Sequence, residues 1–124
     1  MPFIATRAFR ASLFLACTLA APLVFAHAHL KQQQPMADAQ LSASPQVLTL
    51  DFSEGLEAKF SGLTLTGPQQ QRVTTGPVTL NKSDARQMIV PVAQPLAAGE
   101  YTVDWHVVSV DGHKTKGQYR FSVK

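Results

Sequence analysis

The chain has 124 residues, 45% of them hydrophobic, a formal net charge of +3 and a single cysteine. That length holds one domain and excludes a multidomain architecture. The positive balance is concentrated at the start. Residues 1–26 carry Arg7 and Arg10 and no acid, and without them 98 residues remain with nine Lys/Arg against eight Asp/Glu, net +1. No basic cluster stands in that remainder, which excludes a nucleic-acid surface.

Residues 1–26 read as a cleavable secretory signal. Arg7 and Arg10 form a positive start, Ala11 to Phe25 is a mostly apolar run, and Val24-Phe25-Ala26 offers a peptidase small side chains at its recognition positions. The run falls short of the ~20 apolar residues of a membrane-spanning helix. Cleavage after Ala26 makes His27 the first residue of the mature protein. Cleavage after Ala28 is the alternative and places His29 first, but it puts a histidine inside the recognition site. Phe14-Leu15-Ala16-Cys17 faintly resembles a lipidation site, yet only six residues separate Arg10 from Cys17, fewer than the ~7–15 of a normal apolar region. Cys17 leaves with the signal, so residues 27–124 form a cysteine-free domain that relies on its own core.

From His27 to Ser44 the chain is polar and irregular, an arm laid along the domain with room for a short first strand. After Pro45 the pattern turns to period two. Leu48, Leu50 and Phe52 alternate with Thr49 and Asp51, the mark of a half-buried strand. Glu54 to Glu57 forms a turn, and Phe60, Leu63 and Leu65 predict a second strand ended by Gly67-Pro68. Gln71–Thr75 and Val78–Leu80 are weaker strands, Asn81–Asp84 a loop, and Gln87–Val92 a strand with Pro91 at an edge or bulge. The strongest strand spans Glu100–Val110, with Tyr101, Val103, Trp105 and Val107 on one face and Thr102, Asp104 and His106 on the other. Gly117–Lys124 is the last, turning Tyr119, Phe121 and Val123 inward, and Asp111–Gly117 connects the two. Short alternating strands without a helix predict an all-β fold, a small antiparallel β-sandwich.

All four histidines, His27, His29, His106 and His113, lie after the signal, in no Cys/His zinc pattern and no HExxH motif. An N-terminal His27 offers its α-amine and imidazole to one ion as a chelate. In extended backbone Asp111 and His113 project to one side about 7 Å apart along the chain, with Gly112 leaving room between them. An amine, two imidazoles and a carboxylate suit Cu(II), with Ni(II) or Zn(II) as lesser fits. The plainer reading of Asp111-Gly112 is a hairpin turn and nothing more. His106, on the polar face of its strand, reads as an ordinary exposed histidine or as a partner to a ligand.

The run from Tyr101 to His113 (YTVDWHVVSVDGH), the start His27-Ala28-His29-Leu30, the run Leu48 to Gly55 and the terminal Gly-x-Tyr-x-Phe-x-Val from Gly117 resemble the CopC family of periplasmic copper-binding proteins, its YobA-type members in particular. The resemblance spans the mature chain. It implies an immunoglobulin-like Greek-key sandwich or barrel of about seven strands in the periplasm, holding one Cu(II) through His27, Asp111 and His113, for copper homeostasis or resistance or for delivery to a CopD-like inner-membrane partner. Some members add a methionine-rich Cu(I) loop. Here only Met36 and Met88 follow Met1, far apart in sequence, a poor soft site.

Three other readings compete with a non-catalytic carrier. His27-Ala28-His29 can wrap Cu(II) with its own deprotonated amides, needing no fold. A copper monooxygenase also uses an N-terminal histidine, but 98 residues leave little substrate surface. A metal-free immunoglobulin-like interaction module is the last.

Overall fold

A computed structural model describes residues 28–124, so the signal and His27 lie outside the described residues. Nine strands form two sheets: β1 Leu30–Gln34, β2 Gln40–Leu41, β3 Val47–Phe52, β4 Gly62–Thr66, β5 Arg72–Val73, β6 Thr79–Asn81, β7 Asp84–Pro91, β8 Gly99–Val108 and β9 Lys114–Val123. One sheet is ordered β1-β3-β7-β6 and the other β2-β9-β8-β4-β5. All pairings are antiparallel except that of β2 with β9. The all-β sandwich is as expected. The count exceeds about seven because the arm before Pro45 supplies two strands: β1 pairs with β3, and the two-residue β2 pairs with β9.

The period-two pattern sets what lies between the sheets. Leu48, Leu50 and Phe52 on β3 and Met88 and Val90 on β7 face Tyr101, Val103, Trp105 and Val107 on β8 and Tyr119, Phe121 and Val123 on β9, all buried. Burying side chains of this kind stabilises by about 1.5–3 kcal/mol each before conformational entropy is subtracted. Phe52 meets Trp105 edge-on at 5.1 Å between centroids, and Tyr101 stacks on Phe121 at 5.7 Å. The Trp105 indole also lies over Gly117, its cross-strand partner.

Several boundaries differ from the sequence reading, among them the start of β7, at Asp84 rather than Gln87. Phe60 is not in a strand: it ends the 3-10 turn Ala58–Phe60 and is 63% exposed, and β4 starts at Gly62. The Ser61 hydroxyl donates to the Glu57 carbonyl at 2.8 Å and accepts from Val108 N–H at 3.1 Å, tying this turn to β8. Pro91 ends β7 beyond the last β6 pair, Thr79–Ile89, so its missing N–H breaks no ladder there. Finally, β8 stops at Val108 and β9 starts at Lys114, three residues earlier than expected. Lys114, Thr115 and Lys116 pair with Val108, Val107 and His106. Polar residues there obscured a strand that pairing with β8 enforces.

Candidate metal centre

The β8–β9 connection is a tight hairpin. Gly112 N–H donates to the Ser109 carbonyl at 2.8 Å, and Ser109 N–H to the His113 carbonyl at 2.9 Å. The three residues between, Val110, Asp111 and Gly112, end with Gly112 at φ +90°. This is the three-residue hairpin in which a turn is followed by a glycine in the left-handed region. A Cβ on Gly112 would meet nothing within 4 Å, so what the fold itself asks of this glycine is its backbone conformation. Gly112→Ala is expected to cost about 1–3 kcal/mol, read in urea unfolding of the metal-free protein. An unchanged midpoint would show that the turn tolerates a side chain.

That turn, and not extended alternation, brings Asp111 and His113 together. Asp111 Oδ1 lies 3.1 Å from His113 Nδ1 and accepts from His113 N–H at 3.3 Å. The buried Ser109 hydroxyl also donates to Oδ1. This hydroxyl first, against the opposing effect of burial, and then the His113 side chain and amide hold the Asp111 carboxyl below the usual carboxylate range. Asp111 is therefore an anion wherever an imidazole is neutral. The contacts that Ser109 and His113 make with this carboxylate all fall on Oδ1, and Oδ2 accepts no hydrogen bond from the described residues. With Nδ1 turned to the carboxylate, His113 directs Nε2 to the far side of its ring. Ser109 is the contributor that sequence reasoning missed; its sign is a serine two residues before the aspartate, at the end of an alternating strand.

The chain just after His27 is fixed at the same end of the sandwich. Ala28 is buried in the core at 1% exposure, and its carbonyl accepts from the Thr115 hydroxyl at 2.9 Å. His29 N–H donates to Ser53 Oγ at 2.8 Å, and Ser53 N–H returns a bond to the His29 carbonyl at 2.9 Å. His106 is exposed on the outer face of β8, opposite Lys116, with its ring over Gly62. No hydrogen bond or ion pair joins it to the hairpin among the described residues. Met88 is buried in the core and Met36 is 60% exposed in the β1–β2 connection, so they do not share an environment. Among the described residues no group of three or more His, Cys, Asp or Glu gathers into a metal cluster, and none of their helices is long and apolar enough to cross a membrane.

A carboxylate and an imidazole thus meet at the tip of a β-sandwich hairpin, with Ala28 and His29 anchored at the same end of the fold. The CopC domain profile matches residues 30–124. The chain is 57% identical over 110 residues to the protein YobA of Escherichia coli K12, covering 89% of each. It superposes on the crystal structure of CopC from Methylosinus trichosporium OB3b with a TM-score of 0.74 and 28% identity, covering 79% of this chain and 94% of that one. For PcoC, a methionine-rich copper resistance protein from Escherichia coli, the TM-score is 0.70 at 40% identity, covering 80% and 100%. The chain belongs to the CopC family.

Proposed function

We propose that the mature protein is a non-catalytic periplasmic copper carrier that holds one Cu(II) through the His27 amine and imidazole, Asp111 and His113. The observation that carries this reading is the 3.1 Å Asp111–His113 pair on a hairpin whose own strand, through Thr115, bonds the residue following His27. A peptide bond sets consecutive Cα atoms about 3.8 Å apart, so anchoring Ala28 confines whatever precedes it. Three nitrogens and one oxygen suit Cu(II), and a half-exposed pair at a hairpin tip can receive and release its cargo. Delivery to a CopD-like inner-membrane partner completes the proposal, in line with the family.

The same contacts support processing after Ala26. Cutting after Ala28 removes a residue that is buried in the core and accepts the Thr115 hydroxyl. They also weigh against the self-contained His27-Ala28-His29 site. That site needs the His29 amide nitrogen as a ligand, and this nitrogen donates to Ser53 Oγ.

In the mature protein His113→Ala is expected to weaken Cu(II) binding by ~10–100-fold or more, the loss seen even for outer partners of metal ligands. It should also alter the electron paramagnetic resonance spectrum by removing one nitrogen. An unchanged affinity and spectrum would remove His113 from the site.

A further inference from the structure

Chain termini usually fray unless something ties them down. Here the tie precedes the sheet. The β1–β3 register begins at Leu30 opposite Phe52, yet Ala28 and His29 are already held. Their holders come from opposite layers: Ser53 follows β3 of one sheet, and Thr115 lies on β9 of the other. Thr115 is also two residues from His113, about 7 Å along an extended strand. The residue just before β9 is thus a candidate ligand, and β9 itself carries an anchor for the chain.

We propose that Thr115 and Ser53 are positioning residues: by holding Ala28 and His29 at the hairpin end of the sandwich, they reduce the ordering that the processed N-terminus must undergo when the ion binds. The clamp rests on the reading of His27, Asp111 and His113 as ligands. Without it the N-terminal chelate would still bind copper, but each binding event would first have to order the terminus. Thr115 supplies a directional bond to a buried carbonyl that has no water to turn to. Ser53 takes up the His29 amide and returns its own to the His29 carbonyl, which fixes the path of the chain on either side of one residue.

The test uses mature protein with its N-terminus verified by intact mass. Thr115→Val keeps the shape and removes the donor; Thr115→Ser restores the donor; Ser53→Ala removes the other bond. Cu(II) affinity is read by chelator competition, coordination by electron paramagnetic resonance, and terminal order by hydrogen exchange of the His29 amide without metal. Thr115→Val is expected to weaken binding by about 5–10-fold, the equivalent of one lost hydrogen bond. It should also split the resonance into more than one species and speed His29 exchange, with Thr115→Ser reversing all three and Ser53→Ala reproducing them. Wild-type affinity and spectrum in Thr115→Val overturn the clamp. So does a weakening that only follows lost global stability in urea, with one unaltered spectrum. His113→Ala run in parallel separates the two ideas: if it weakens binding while Thr115→Val does not, the ligands stand and the clamp falls. If neither changes binding, the ligand reading falls and the clamp with it.

Discussion

Protein whose first residue is His27 is expected to bind Cu(II) on the order of a hundredfold or more tightly than the same protein with its α-amine acetylated. Acetylation turns the α-amine into an amide and opens the amine–imidazole chelate, leaving separate imidazoles and the Asp111 carboxylate. Since even partners outside the coordination shell contribute ~10–100-fold to affinity, loss of a chelating donor sets a larger effect. The β-sandwich should be unaffected, because Ala28 keeps its place in the core and its bond to Thr115 in both proteins. Chelator-competition titration of the two proteins, matched by circular dichroism, makes the comparison. Equal affinities would place the copper elsewhere and end the proposal that the processed terminus is a ligand.

Gly117→Ala is expected to be the most damaging single methyl on β9. A Cβ there would stand 2.4 Å from Cζ2 and 2.7 Å from Cε2 of Trp105, both in a ring fixed by Phe52 and the core. Either the indole leaves its rotamer or β9 moves away from β8, at a cost of about 1–3 kcal/mol. The shifted Trp105, the only tryptophan, reports the change directly in its fluorescence, and urea unfolding gives the energy. Because Trp105 pairs with Gly117 four residues before Ser109 and four after His113, the damage should also reach the hairpin as weaker copper binding. Unaltered emission and an unaltered midpoint would show that the close approach relaxes without strain.

The core was legible because alternation is a local property. Leu48, Leu50 and Phe52, and the inward residues of β8 and β9, follow from a period of two that needs no knowledge of neighbours. Phe60 was misread for the same reason. An aromatic three residues before Leu63 suits a strand by composition, and only the Glu57–Ser61 hydrogen bonds show a turn that leaves it in solvent. The early start of β9 was hidden in Lys114-Thr115-Lys116, whose strand state comes from pairing with β8 rather than from its own preference.

By itself the sequence determined the strand faces, the hairpin aspartate and histidine, and the family that they mark, since each rests on residue type and spacing within a short stretch. Tertiary structure alone decided that the turn joins Asp111 to His113, that Ser109 holds the carboxylate in its charged form, and that Ser53 and Thr115 hold the chain at Ala28 and His29. Those contacts span up to 87 residues of sequence. No local pattern encodes them, because they exist only once two sheets close on one another and bring Ala28 and His29 against the strands beside the last hairpin.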